Sequence, residues 1–178
     1  LSFLLGLIQG LTEFLPISSS AHLLFPTLLF GTDDLGLAFD IAVHAGTLVA
    51  VMYFFRTEIK LMIKSLISRN SAFNNSRKLA NLLIIATIPI VIAGLFGKDS
   101  LESNRNSIAS IAYMNLLFAG FLLFAYKYSS SSKSLIELTI AGAVFIGIFQ
   151  VFALFPGASR SGTAMTAALL IGLNLKDS

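Results

Sequence analysis

Gln9-Gly10-Leu11-Thr12-Glu13-Phe14-Leu15-Pro16-Ile17-Ser18-Ser19-Ser20-Ala21-His22 interrupts a chain that is otherwise mostly apolar. An apolar run leads in, a proline breaks it, and clustered hydroxyls with ionisable neighbours follow. The same order recurs at Gln150-Val151-Phe152-Ala153-Leu154-Phe155-Pro156-Gly157-Ala158-Ser159-Arg160-Ser161-Gly162. A charged side chain at the centre of a bilayer costs about 2.5–3.5 kcal/mol on insertion scales, so such residues face a protein interior or a wet cavity. Irregular backbone at membrane depth survives only where protein or water satisfies it. The two stretches therefore predict helix–turn–helix hairpins that dip into a membrane and return.

Composition supports that setting. Of 178 residues, 56% are hydrophobic and only 12% charged, and the mean hydropathy is +0.85. This implies an all-α, polytopic integral membrane protein. With 16 Phe and no Trp, any interfacial aromatic belt rests on four Tyr. The lack of cysteine excludes disulfides and thiolate metal sites. A net charge of +3 does not indicate nucleic acid, because the basic residues gather mainly in two loops. No cleavable signal is visible, and the chain opens inside an apolar run without Met, so further residues are expected to precede it.

Apolar segments fall at 1–15, 20–30, 37–55, 79–96, 108–126, 135–155 and 163–173. Segments 37–55, 79–96 and 108–126 are long enough to cross a hydrocarbon core of about 30 Å as helices. Segments 20–30 and 163–173 are too short and read as returning arms of hairpins, with 135–155 as a descending arm. Loop 56–78 carries Arg56, Lys60, Lys64, Arg69, Arg77 and Lys78 against Glu58, and loop 127–134 carries Lys127 and Lys133. Both are expected in the cytoplasm. Loop 31–36 has Asp33 and Asp34, and loop 97–107 balances Lys98 and Arg105 against Asp99 and Glu102. Both are expected outside, so the two hairpins enter from opposite faces.

Gly6-Leu7-Ile8-Gln9 leading to Pro16 and the serines parallels Gly147-Ile148-Phe149-Gln150 leading to Pro156 and Ser159, at an offset of 141 residues. Opposed orientation with a shared pattern is the mark of an inverted-topology repeat, whose site lies at the repeat interface. Residues 1–126 form the first repeat on this reading, and 135–178 begin a second. Completing the second would take roughly 90–100 further residues, so the chain is expected to be truncated at its C-terminal side.

Gln9 and Glu13 lie four apart on one helical face. Pro16 frees backbone groups, and Ser18, Ser19 and Ser20 are placed to cap a helix starting near His22. Glu13 offers the oxygen that Mg²⁺ and Ca²⁺ prefer, or a partner that orients His22. On the plainer reading it is neutral and hydrogen-bonded, and the serines only cap. In the second stretch Pro156-Gly157 permits close backbone approach, and Ser159-Arg160-Ser161 opens the helix 163–173. A helix N-terminus binds anions, and arginine adds a planar fork matched to phosphate. The alternative is Arg160 snorkelling or paired to a structural carboxylate. Asp40 and His44, at i and i+4, either line the same cavity or form a structural pair. Glu137 is expected in water, and Asn81 and Asn115 are expected to hydrogen-bond between helices.

Residues 10–22 and 155–162, with Phe39-Asp40-Ile41-Ala42-Val43-His44-Ala45-Gly46-Thr47, resemble the undecaprenyl-diphosphate phosphatase (bacitracin-resistance) family over nearly the whole chain. The resemblance implies a multi-pass enzyme of the bacterial inner membrane that removes the terminal phosphate of undecaprenyl diphosphate. That would return the carrier lipid to peptidoglycan synthesis. It also implies a divalent cation, Mg²⁺ or Ca²⁺. By position Gln9 and Glu13 fill the family's acidic motif, leaving Glu13 as the certain carboxylate ligand. Ser19 and His22 match the nucleophile or acid/base positions, and Arg160 the phosphate-binding arginine. Gln9, Ser18, Gly157, Ser159 and Ser161 complete the substrate-binding set. Attack by Ser19, attack by His22 and activation of water by His22 all remain open. The implied partners are a polyprenyl diphosphate substrate and membrane lipids, with a homo-oligomer allowed and no nucleic acid. The cavity is expected to open to the periplasmic or outer side. The rival reading is a lipid flippase or ion-coupled transporter, since inverted repeats with broken helices are common there.

Overall fold

Long apolar runs without caps or breakers leave helix as the only open structure that satisfies the backbone in lipid, and the computed structural model is helical throughout. It describes residues 1–68, 70–103, 107–130 and 132–178, with the backbone alone over 98–103. Among the described residues eight α-helices follow in order: α1 Ser2–Thr12, α2 Ser19–Phe30, α3 Gly36–Phe54, α4 Arg56–Ile67, α5 Asn74–Ser103, α6 Ile108–Tyr128, α7 Ile140–Val151 and α8 Arg160–Leu170. Among the described residues there is no β-strand beyond an isolated bridge between Lys133 and Leu173.

Three helices are long and apolar enough to cross a membrane, α3, the Ser71–Gly97 stretch and α6. These match the expected spans. Their apolar side chains face outward: only 6% of the α3 window and 17% of each of the other two is buried. Such an exposed surface suits lipid and not water. The protein is accordingly a polytopic, all-α membrane protein.

The expected hairpins are present. α1 ends at Thr12 and packs against α2, with the turn at 13–18. α7 and α8 pack against each other across the Pro156-Gly157 turn. The segment 135–155 is not one helix: 3₁₀ turns at Leu135–Glu137 and Phe152–Leu154 flank α7. Two expected loops are also partly helical. α5 continues to Ser103, and α4 fills Arg56–Ile67, where dense charge suggested a loop. α4 packs on α5 through Ile59, Met62 and Ser65, which recur every three residues and are its less exposed positions. Arg77 Nε donates to Ser65 O at 2.8 Å, and its guanidinium also reaches Ser68 O, closing the α4 C-terminus. Arg69 and Arg105, and the side chains of Lys98, Asp99 and Glu102, lie outside the described residues.

The core sits where α5, α7 and α8 meet, built from Leu82, Ala86, Leu138, Ala143, Ala168 and Leu173. Small residues let membrane helices approach closely. Gly147 of α7 is the tightest case there, since a Cβ would lie 2.6 Å from Ala86 O and 2.9 Å from the Pro89 ring of α5. Phe118 of α6 closes the far side through edge contacts with Phe149, at 6.1 Å between ring centroids. Asn81 and Asn115 point outward on α5 and α6 and make no interhelical hydrogen bond among the described residues.

Glu137 is exposed, as expected, but not idle. It accepts from Ser134 N at 2.8 Å and Ser134 Oγ at 3.1 Å in a capping box. These bonds, with a smaller contribution from Lys133 and Lys78, hold its carboxyl below the ordinary range. A depressed pKa means the cap is present above the ordinary carboxylate pKa and lost as pH falls through the lowered one. An NMR titration should find the Glu137 midpoint below 4.5, and Ser134→Ala should move it upward.

Gly157 fixes the second hairpin tip. Its φ is +97°, and a Cβ would lie 2.3 Å from Ile111 O of α6. Gly157→Ala should destabilise the protein by about 1–3 kcal/mol, read as a lower melting temperature in detergent. An unchanged melting temperature would show that the tip has room.

Candidate active site

Each hairpin turn delivers a helix N-terminus, and the two are built alike. Ser18 is the N-cap of α2, accepting from Ala21 N at 3.3 Å, and its Oγ lies 3.3 Å from Ser20 Oγ. Ser159 is the N-cap of α8, accepting from Gly162 N at 3.2 Å, and its Oγ lies 3.1 Å from Ser161 Oγ. The two caps are 141 residues apart, which is the offset of the sequence repeat. A serine cap satisfies one of the first free N–H groups and leaves others aimed outward. Those of Ser19 and Ser20, and of Arg160 and Ser161, occupy these positions.

The tips meet. Ser161 Oγ donates to Leu15 O at 2.6 Å, joining the second hairpin to the first across 146 residues of sequence. Between them lies a small polar hollow of about 50 Å³, lined by Glu13, Ser18, Ser19, Ser20, His44, Ser159 and Arg160 together with Ile17, Ala153 and Ala158. Two helix N-termini and a guanidinium around one hollow make a strongly anion-seeking site. The Arg160 side chain is exposed and pairs with no other described residue, so its fork is available to a ligand.

Among the described residues Glu13 is the one carboxylate lining the hollow. Its Oε2 accepts from Gln9 Nε2 at 2.7 Å and from Ser19 Oγ at 2.8 Å, and His44 Nε2 stands 3.5 Å away. Gln9 is fully buried, and its Oε1 has no partner. The carboxylate fixes the amide orientation, because the reverse would set two oxygens against each other. The His44 ring is held by its Nδ1, 2.7 Å from Asp40 O, so that nitrogen carries the proton.

The structure therefore brings Glu13, Ser18, Ser19, Ser159 and Arg160 to one hollow. Gln9 stands behind Glu13, Ser161 ties the tips, and Gly157 packs against α6. His22 lies elsewhere: its Nδ1 is 2.7 Å from Ser18 O, and it lines an apolar hollow of about 420 Å³ between α1 and α2. His44 takes the place beside Glu13 that the sequence offered to His22. The Asp40–His44 spacing was the available signal, but it could not fix which way α3 is turned.

Among the described residues no three His, Asp or Glu side chains form a metal cluster. Mg²⁺ is commonly held by one or two carboxylates plus substrate phosphates, whereas Ca²⁺ takes six to eight oxygens. Glu13 and the unpartnered Gln9 Oε1 suit the first arrangement; they do not build a cage for the second.

The family model for the bacitracin resistance protein BacA matches residues 2–178. The chain belongs to the BacA family. A relative from Alcanivorax borkumensis named undecaprenyl-diphosphatase is 46% identical over 178 residues, covering 99% of this chain and 67% of the relative. Relatives of the same name from Aliivibrio salmonicida and Saccharophagus degradans are each 45% identical, covering 96% and 97% of this chain and 65% and 66% of their own. The chain thus spans about two thirds of the length of these BacA relatives. Their name does not favour the flippase or transporter reading.

Proposed function

We propose that the protein is a hydrolase that converts undecaprenyl diphosphate to undecaprenyl phosphate and inorganic phosphate. In doing so it returns the carrier lipid to peptidoglycan synthesis and confers bacitracin resistance. One observation carries the reading: the carboxylate in an anion-seeking hollow already accepts a hydrogen bond from a serine hydroxyl, at 2.8 Å. An anion cradle alone would bind phosphate; a base paired to a nucleophile can cleave it.

Arg160 and the N–H groups opening α2 and α8 hold the diphosphate, with their dipoles fixed before the reaction begins. Ser19 Oγ attacks the terminal phosphorus as its proton passes to Glu13. The phosphoanhydride P–O bond breaks, and undecaprenyl phosphate leaves with the proton from Glu13. Glu13, ionised again, deprotonates the water that attacks the phosphoserine; the bond from phosphorus to Ser19 Oγ breaks, Glu13 returns that proton to Ser19, and inorganic phosphate is freed. Gln9 holds the carboxylate in place throughout. A divalent cation, Mg²⁺ by the donor set, would be held by Glu13 and Gln9 Oε1 and would supply neutralisation of phosphate charge. The loop charges support a place in the bacterial inner membrane with the hollow opening to the periplasmic or outer side.

Ser19→Ala, Glu13→Gln and Arg160→Ala should each lower phosphate release by at least about 10²-fold without preventing membrane insertion, while His22→Ala should retain most activity. Near-normal release by Ser19→Ala would remove the serine nucleophile and leave Glu13 activating water. Chelator should abolish release and added Mg²⁺ restore it; full activity in chelator would dismiss the cation.

A further inference from the structure

The polar hollow accommodates a headgroup and no more, so a lipid ligand must leave its tail elsewhere. Two apolar hollows flank the site. One, of about 440 Å³, is lined by Phe14, Ala50, Val51, Phe54 and Phe55. The other is the hollow beside His22, between α1 and α2.

We propose that the hollow between Phe14 and α3 seats the prenyl chain of the substrate, a reading that rests on the phosphatase function above. The first hairpin tip and α3 each contribute residues both to the site and to this hollow. Phe14 directly follows Glu13 in the chain, at the tip of the first hairpin. On α3, His44, Thr47, Val51 and Phe54 recur at intervals of three and four, forming one stripe. The stripe begins in the polar hollow with His44 and ends in the apolar one with Val51 and Phe54. Thr47, buried, spends its hydroxyl on His44 O at 2.8 Å and offers the stripe no spare donor. At 1.5 Å per residue the stripe runs about 15 Å, polar at one end and oily at the other. That is the outline of a diphosphate lipid, not of a soluble anion.

The surfaces suit a mobile tail. Ala50 leaves a gap on α3, while Phe14 and Phe54 stand 51% and 73% exposed on either side of it. Glu13 sits between head and tail on the chain, so a tail laid over Phe14 presents the terminal phosphate toward Ser19 and Arg160.

The test uses the whole protein in detergent, with phosphate release measured from undecaprenyl diphosphate and from the short dimethylallyl diphosphate. Ala50→Trp fills the hollow on an exposed face. It should raise KM for the long substrate about tenfold or more, with kcat and the short substrate little changed. Leu11→Trp, in the other hollow, should leave both unchanged. A parallel measurement needs no variant: a diazirine-bearing farnesyl diphosphate should label a peptide containing residues 50–55. Equal effects of Ala50→Trp on both substrates, a selective loss in Leu11→Trp, or label confined to residues 8–26 would overturn the proposal. Label outside both hollows would do the same and would point to another part of the protein covering the α3 face. Absence of phosphate release from either substrate by the unaltered protein would instead count against the phosphatase reading. The labelling pattern would still report where a prenyl diphosphate sits.

Discussion

Everything in this structure depends on how two helix N-termini are satisfied where their hairpins meet. A broken helix in hydrocarbon leaves free N–H and C=O groups, each costing several kcal/mol if unmet. Ser18 and Ser159 each cap one donor of their own helix. Ser161 meets a freed carbonyl of the opposite hairpin, Leu15 O. What those bonds leave over is the uncapped N–H groups that open α2 and α8, two helices whose first residues line a shared hollow. Neither hairpin forms the hollow alone.

The matched caps stand at like positions in the two hairpins, yet the site they border is asymmetric. At an offset of 141 residues, Ser18 corresponds to Ser159 and Ser20 to Ser161, and the hydrogen bonds repeat with them. Between those serines the correspondence pairs Ser19 with Arg160, and upstream it pairs Glu13 with Leu154. The scaffold positions are alike and the chemistry is divided. One hairpin contributes a hydroxyl bonded to a carboxylate, the other an exposed cation.

The spans and the hairpin caps were legible in the sequence because each depends on local facts, namely apolar length and a hydroxyl after a proline. Family membership was legible from two long motifs in order. α4 was not: four charges in Arg56–Ile67 suggested a loop, and the packing stripe of Ile59, Met62 and Ser65 is only one residue wide. His22 and His44 show a different limit. Both fold their Nδ1 back onto the carbonyl four residues earlier, at the same 2.7 Å. Local geometry is identical, yet one ring faces an apolar hollow and the other faces Glu13. Rotation of a helix against its neighbours decides that, and no local pattern encodes it.

Size then sets what such a site can discriminate. A hollow of about 50 Å³ grips phosphate oxygens, which many soluble metabolites also carry. Headgroup contacts therefore supply chemistry without selecting among diphosphates. Selection must come from the apolar surroundings: the roughly 0.8 kcal/mol per methylene that drives a prenyl chain out of water concentrates a lipid diphosphate in the bilayer beside the hollow and leaves soluble ones outside. That division also protects the reaction. On the proposed mechanism a tail held in the bilayer keeps the anhydride against Ser19 and Glu13, so the Ser19 hydroxyl that Glu13 activates need not react with every phosphate that diffuses past.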